Sequence, residues 1–304
     1  MFKIKGPILA AMDLDNGSEE LLRQAHALAL SYKVNLSACH VLPEIFAVRP
    51  LFPHLHLDDA LKRSGLEATV RDALLERIRA VTTRELPQTG IEIEQGTVHS
   101  GILRAAERIG AGAVVVGAKV DHKGLHILGN SAEHVVRYAH CPVLVVRPSP
   151  AGMVLVATDF SDPALPAVEA GAAEARHRKA DLAILHAIDL LPVMSPYYGD
   201  FFAMPPMALG GVPMELSDQI REIWKNKLDE CVHRFKAKGG GLLRNGPAAP
   251  AILRAASELP AQLLVVSTHG RTGLSRVALG SVAEAVVRSA PCSVLTIRLS
   301  REGA

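Results

Sequence analysis

Short apolar runs alternate with longer stretches of helical periodicity along this chain. In its second half the helical stretches are residues 162–179, 216–238, 250–260 and 281–290. Between them lie the strand-like runs MVLVATD, DLAILHAID, AQLLVVST and SVLTIR, with a weaker one at GGGLLRNG. Runs without strict alternation, such as AVVVGA and LLVVS, indicate strands covered on both faces. The pattern predicts an α/β fold with a doubly wound parallel sheet and right-handed crossovers.

The chain repeats itself once, at an offset of about 150 residues. The sequence ILRAA occurs at residues 102–106 and again at 252–256, and VLVVR is matched by VLTIR. The same alignment pairs Asp13 with Asp159, His40 with His186, and Cys141 with Cys292. The sequence therefore predicts two tandem domains, residues 1–149 and 151–304, joined near the Pro/Gly/Ser stretch RPSPAGM.

The amino-acid composition limits the classes of function that fit this chain. The 304 residues are 49% hydrophobic and 21% charged, with a net charge of +2. This balance predicts neither nucleic-acid binding nor attraction to an anionic membrane, and no run approaches the roughly 20 apolar residues that span a bilayer. The four cysteines form no CxxC pair, which favours buried, reduced thiols and a cytoplasmic location.

The most informative segment is STHGRTGLSRVALGS, residues 267–281, which follows a predicted strand and precedes a helix. Gly270 and Gly273 allow backbone conformations that other residues avoid. Gly280 and Ser281 then open the helix, whose N-terminal amides and dipole suit a phosphate. Ser281 is a candidate N-cap or phosphate donor, with Glu284 completing a capping box. A phosphate site and a well-capped turn both fit this pattern.

The repeated unit resembles the universal stress protein family over nearly the whole chain. Each copy has a D-[FL]-[SD] element after its first strand, an H-x-[IL] element at the end of its second strand and a Gly/Ser-rich loop after its fourth. Segment 267–281 matches the G-x2-G-x9-G-[ST] pattern of the ATP-binding branch of that family, with Ser267 in place of the first glycine. A positive φ at Ser267 would be strained. The resemblance implies two Rossmann-like domains of the adenine nucleotide alpha hydrolase-like type.

The resemblance also implies a ligand, which is ATP, with or without Mg²⁺, or AMP or a related adenine nucleotide. Asp159 would hold the ribose or the adenine edge, although a helix N-cap is the alternative role for this residue. The backbone of Ala187 would meet the adenine. The full set of implied contacts is Ala157, Thr158, Asp159, Ala187, Ser267, Thr268, Gly270, Arg271, Gly280, Ser281 and Val282.

The first copy departs further from the pattern. Its loop is one residue shorter, Val120 replaces Gly270, Asn130 replaces Ser281, and Asp121 adds an acid close to the place of a phosphate. The remaining matches are Asp13, Gly117 and Gly129. We therefore expect a weak or lost site in the first copy and a nucleotide site in the second.

Other features leave alternatives open. The set His54, His56, Asp58 and Asp59 is read as a solvated loop rather than a metal site. Residues 190–217, rich in Met, Pro and aromatic residues, would form a lid, a partner surface or a folded connector.

No catalytic set emerges, because neither G-x-S-x-G nor G-x4-G-K-[ST] is present. We expect a nucleotide-binding stress-response protein and not an enzyme. The alternatives are an interaction protein that binds no nucleotide and a slow ATPase. The last strands of the two copies predict a homodimer or an intramolecular pseudo-dimer, with a further protein partner of unknown identity.

Overall fold

A computed structural model describes residues 2–14, 18–42, 65–82, 89–120, 126–189, 214–270 and 279–298. These residues form two compact units. One consists mainly of residues 149–274 and 280–292, and the other mainly of residues 3–148 and 293–304. None of the helices in the described ranges combines the length and the apolar character that a membrane crossing requires.

In chain order the elements of the first copy are β1 (Ile8–Ala11), α1 (Ser18–Tyr32), β2 (Leu36–Leu42), α2 (Leu66–Val81), β3 (Thr89–Gln95), α3 (Val98–Arg108), β4 (Ala113–Gly117), β5 (Lys119–Val120), β6 (His126–Ile127), α4 (Asn130–Tyr138) and β7 (Val143–Val146). Those of the second copy are β8 (Met153–Ala157), a 3₁₀ turn (Asp162–Ala164), α5 (Leu165–Arg178), β9 (Leu182–Ile188), α6 (Met214–Phe235), β10 (Gly241–Asn245), α7 (Ala248–Glu258), β11 (Ala261–Ser267), α8 (Ser281–Ser289) and β12 (Ser293–Ile297). The helices and strands predicted for the second half are confirmed, with ends that agree to within three residues.

The unit that holds the first copy has strand order β3-β2-β1-β4-β7-β12. The first five strands are parallel, and β12 runs antiparallel to β7. Leu144 of β7 lies directly opposite Leu295 of β12. These two leucines occupy corresponding places in the repeat, so the pairing of the two last strands has an approximate two-fold axis between them.

The other unit has the parallel strand order β10-β9-β8-β11. Its strands β8, β9 and β11 are almost continuously buried, as expected for a sheet covered by helices on both faces. Helix α5 packs closely against the sheet because it is built from small residues. A Cβ on Gly171 of α5 would lie only 2.0 Å from Cγ2 of Val156. The predicted doubly wound α/β fold is confirmed.

The repeat is visible in the geometry as well as in the sequence. In the second copy, Nδ1 of His186 lies 2.8 Å from the carbonyl oxygen of Thr158. In the first copy, Nδ1 of His40 lies 2.8 Å from the carbonyl oxygen of Met12. In both copies, therefore, a histidine on the second strand ties down the end of the first strand.

Candidate functional site

The candidate site lies at the carboxyl ends of β8 and β11, which are neighbours in the sheet. Strand β8 also has β9 on its other side, so the chain order reverses between β8 and β11. In open α/β sheets, ligands bind at such a reversal, in the crevice outside the strand ends. Asp159 follows β8 and Gly270 follows β11, so the two predicted motifs come together at this reversal.

Asp159 is held in a turn by the residues that follow it. Its Oδ1 accepts hydrogen bonds from the amide of Ser161 at 3.0 Å and from Oγ of Ser161 at 2.6 Å. Its Oδ2 faces Gly270, where a Cβ would lie 2.7 Å from this oxygen. The residue that caps the 3₁₀ turn is Ser161, so the alternative role of Asp159 as a helix N-cap is wrong. Asp159 instead forms an Asx-type turn one step earlier.

Ser267, the departure from the glycine pattern, has a structural role of its own. Its Oγ donates to the carbonyl oxygen of Pro163 at 2.8 Å and accepts from the amide of His269 at 3.4 Å. Ser267 is not among the described residues with positive φ, so the strain that a positive φ would cause does not arise here. The hydroxyl ties the end of β11 to the turn after β8, a contact that a glycine could not make.

Helix α8 begins against the end of β11. The amide of Gly280 donates to the carbonyl oxygen of Thr268 at 2.9 Å, and a Cβ on Gly280 would lie 3.1 Å from that oxygen. The N-cap is Gly280, with no hydrogen bond from a side chain, and Ser281 is the first helical residue. The prediction that Ser281 caps α8 is therefore wrong by one position. Ser281 is exposed and belongs to the first turn of α8, where backbone amides have no partner within a helix.

The structure gives a different reason for the glycine at position 270 than the sequence predicted. Gly270 is not among the described glycines in the left-handed region, so backbone freedom is not the reason for a glycine here. The reason is space, because a Cβ would press on the carboxylate of Asp159.

The remaining predicted contacts fall around the same edge. Thr158 and Thr268 are buried, whereas Ala187 is partly exposed although its neighbours His186 and Ile188 are only 4% and 5% exposed. Val282 on α8 is 39% exposed, and Ala157 ends β8. Arg271 and Gly273 lie outside the described residues. Apart from these two, the predicted residues line the ends of β8, β9 and β11 and the start of α8.

An aromatic cluster next to Asp159 was missed by sequence reasoning. The ring centroids of Phe160 and His186 are 4.8 Å apart. The Phe160 ring also stacks on the Trp224 ring, with a centroid separation of 5.9 Å and an interplanar angle of 10°. The ring centroids of His186 and Trp224 are 4.6 Å apart. The one available signal was a single tryptophan in a helix that is otherwise largely polar.

The first copy builds the corresponding region differently. Arg77 of α2 donates to the carbonyl oxygen of Asp13 at 3.4 Å and also to that of Leu14. After β4, the chain forms a small antiparallel hairpin from β5 and β6. Carbon atoms of the Lys119 side chain would lie 3.1–3.3 Å from a Cβ on Gly129, the N-cap of α4. In the first copy, therefore, the side chain of Arg77 lies at the end of β1 and that of Lys119 lies at the start of α4.

Gly117, the third residue that matches the pattern in the first copy, ends β4 in an exposed position. Among the described residues, the nearest atom to a Cβ there is Cδ1 of Leu21, at an ordinary contact distance of 3.5 Å. In the described part of the first copy, Gly117 therefore makes no contact like that between Gly270 and Asp159 in the second copy.

Comparison with known proteins agrees with this architecture. The sequence profile of the universal stress protein family matches residues 6–147 and again residues 152–298. The chain belongs to the universal stress protein family. Its membership is of the tandem kind, with two family domains in one chain. The resemblance seen in the sequence is confirmed, while the assignment of the second domain to the ATP-binding branch stays a prediction.

The similar proteins include both sequences and solved structures. A universal stress protein of Mycobacterium tuberculosis is 32% identical over 197 residues, covering 59% of this chain and 56% of the relative. The chain thus matches little more than half the length of that relative. A universal stress protein of Archaeoglobus fulgidus has the same fold, with a TM-score of 0.62, 19% identity and 98% coverage of both chains. A Pseudomonas aeruginosa protein of unknown function aligns with a TM-score of 0.64, 20% identity and coverage of 96% and 92%.

Two segments singled out in the sequence fall in parts of the chain that the structure does not describe. The set His54, His56, Asp58 and Asp59 lies outside the described residues, as do residues 190–213 of the proposed lid or partner segment. Residues 214–217, which end that segment, belong to α6. Within the described ranges, no group of three or more His, Cys, Asp or Glu side chains is arranged to hold a metal ion.

Proposed function

We propose that the second domain binds ATP or a related adenine nucleotide, and that the protein is a stress-response binding protein rather than an enzyme. The observation that carries this proposal is the meeting of Asp159 with Gly270 at the reversal of strand order. A carboxylate beside an open backbone, next to a helix start, offers partners for both ends of a nucleotide.

Each part of the nucleotide has a matching group. Oδ2 of Asp159 is an acceptor for ribose hydroxyls or for the adenine amino group. The first turn of α8, at Ser281 and Val282, provides amide donors, a hydroxyl and the positive end of the helix dipole for phosphates. Ala187 is partly exposed between buried neighbours at the end of β9, and its backbone would meet the adenine. Thr158, Ser267 and Thr268, at the ends of β8 and β11, would lie between these groups.

The first domain is proposed to bind nucleotide weakly or not at all. A nucleotide there would have to displace Arg77 from the carbonyl oxygens of Asp13 and Leu14. It would also have to displace the Lys119 side chain from Gly129. The first domain would then support the second through the fold and through the pairing of β7 with β12.

The organisation and location of the protein are part of the same proposal. We place the domains at residues 1–149 and 151–304, with β7 and β12 forming an intramolecular pseudo-dimer in place of a homodimer through these strands. A sedimentation measurement that gives a single-chain mass supports this arrangement, and a dimer mass points to a further contact between chains. The described cysteines form no disulfide bond with one another, which is in keeping with the proposed cytoplasmic location. Cell fractionation tests this location.

The direct test is calorimetric titration of the purified full chain, stripped of any co-purified ligand, with ATP in the presence and absence of Mg²⁺. We expect one binding event per chain. Titrations with AMP and with cyclic and dinucleoside ligands then identify the preferred nucleotide. No binding of any adenine nucleotide would overturn the proposal in favour of an interaction protein. Steady release of phosphate above the background rate would favour a slow ATPase.

A further inference from the structure

Phe160, directly beside Asp159, has an unusual backbone conformation with φ of 59°. A bulky side chain rarely adopts this left-handed region. Among the described residues, the other non-glycine positions with positive φ are Lys33, Lys179 and Lys236, and each of these directly follows a helix. Left-handed residues are common at helix ends. Phe160 ends no helix, so its conformation must be held by other contacts.

The holding contacts come from both its backbone and its ring. The amide of Phe160 donates to Oγ1 of Thr158 at 3.0 Å. The ring is anchored by His186 and by Trp224 of α6, at separations favourable for aromatic pairs. His186 is itself tied to the carbonyl oxygen of Thr158, so the ring cluster and the end of β8 form one connected arrangement.

This conformation decides where the carboxylate of Asp159 points. With residue 160 in the left-handed region, the chain turns sharply, and both the amide and the hydroxyl of Ser161 reach Oδ1 of Asp159. The other oxygen, Oδ2, is thereby left facing Gly270. Loss of the ring anchor would let residue 160 relax to a common φ and would turn the carboxylate away.

Within the described residues of the first copy, this arrangement is not found at the corresponding place. His40 ties down the end of β1 in the same way as His186 ties down β8. However, Leu14 stands where Phe160 stands in the second copy, and Leu14 is not among the described residues with positive φ. The carbonyl of Leu14 instead accepts a hydrogen bond from Arg77. The strained turn with its aromatic anchor thus occurs in the copy that carries the candidate site.

We infer that Phe160 is a positioning residue for the nucleotide site and that Trp224 anchors it from helix α6. This inference rests on the proposed function, because it specifies how the proposed site is held. Under this inference, nucleotide binding is thermodynamically coupled to the packing of α6 against Phe160. A nucleotide that binds the ordered turn tightens the contact of Phe160 with Trp224, and loss of that contact weakens the nucleotide in return.

Trp224 is the single tryptophan of the chain, so its fluorescence reports on this cluster alone. The experiment titrates the full chain with ATP and Mg²⁺ while tryptophan emission and heat are followed in parallel. We expect a saturable change in emission with the same midpoint as the calorimetric curve. This measurement needs no variant, so it stands even if a substitution prevents folding. A role in fold stability alone would give no such change.

Two variants of Trp224 test the same inference through nucleotide affinity. We expect Trp224→Ala to weaken nucleotide affinity about tenfold and Trp224→Phe, which keeps a ring, to restore most of it. The matched control is Ile223→Ala, since Ile223 precedes Trp224 on α6 and is 56% exposed. Its affinity should equal that of the unmodified chain.

A failure of this inference can be distinguished from a failure of the proposed function. Calorimetric binding by the unmodified chain without an emission change, together with full affinity in Trp224→Ala, overturns this inference and leaves the proposed function standing. Absence of calorimetric binding by the unmodified chain overturns the proposed function, and the positioning role of Phe160 falls with it.

Discussion

Ser293 exchanges two hydrogen bonds with the backbone of Arg147, a residue 146 positions earlier in the chain. Oγ of Ser293 accepts from the amide of Arg147 and donates to its carbonyl oxygen, both at 3.0 Å. Ser293 is fully buried, and Arg147 is only 1% exposed. A second hydroxyl, Oγ1 of Thr296, donates to the carbonyl oxygen of Val143 at 3.2 Å. The register of β12 on β7 is therefore held by side chains as well as by the strand ladder.

Replacing Ser293 by alanine should destabilise the fold. The substitution removes both hydrogen bonds at a site that water does not reach, and we expect the free energy of unfolding to fall by about 1–3 kcal/mol. Urea denaturation of the full chain measures this change. The control is Ser257→Ala, at an exposed position where the change should stay within about 0.5 kcal/mol. Equal stability of the two variants would contradict the role given to Ser293.

Gly270→Ala should weaken nucleotide binding by displacing a carboxylate. The new Cβ would lie 2.7 Å from Oδ2 of Asp159, so the carboxylate must rotate away. We expect an affinity loss of about tenfold or more, measured by calorimetry, since about 1.4 kcal/mol corresponds to a factor of ten. Because both changes act through one carboxylate, Gly270→Ala should add little to Asp159→Ala in a double variant.

The control for Gly270→Ala is Gly129→Ala in the first copy, where Gly129 is the counterpart of Gly280. There the new Cβ meets carbon atoms of the flexible Lys119 side chain, which can move. Nucleotide affinity should be unchanged in this variant. A similar loss in both variants would contradict the assignment of the site to the second domain.

Asp159→Asn separates the charge of this residue from its turn. Asparagine retains an acceptor for the amide and hydroxyl of Ser161, so thermal unfolding should change little. Hydrogen bonds to a charged group contribute about 1.5–3 kcal/mol, so we expect nucleotide affinity to fall by about tenfold or more. Asp13→Asn in the first copy is the comparison. Full affinity in Asp159→Asn would rule out a carboxylate contact with the ligand.

The buried cysteines predict both reactivity and a pH dependence. Burial raises the pKa of the Cys39 and Cys141 thiols from 9.0 to about 12, with Glu94 adding to the effect at Cys39. Burial also raises the pKa of Cys231, which is less deeply buried. At pH 8 a thiol reagent should leave Cys39 and Cys141 unreacted in the folded chain and label all four cysteines after denaturation.

The sign of the pH effect follows from these raised pKa values. Above about pH 9 the unfolded chain releases thiol protons that the folded chain retains, so the free energy of unfolding should fall as pH rises from 9 towards 12. Denaturation at several pH values measures this fall. Cys39→Ala should make it shallower, and an unchanged slope would show that Cys39 does not contribute.

Much of the fold was predictable from the sequence for a physical reason. Strands such as β11 are buried on both faces, so they must be continuously apolar, and glycine and polar residues must collect where they end. The repeat aligned His40 with His186, and both make the same bond to a strand end. Local constraints of this kind leave a trace along the chain that can be read without coordinates.

What the tertiary structure decided concerns residues that are distant in sequence. The sequence alone indicated Asp159 and Gly270 as candidates, but only the neighbouring positions of β8 and β11 bring the carboxylate against the glycine. The same applies to the stacking of Trp224 on Phe160, because contact between helix α6 and the end of β8 leaves no periodic pattern. Periodicity and spacing report local burial and turns, whereas the contacts that build a site depend on the order in which strands pack.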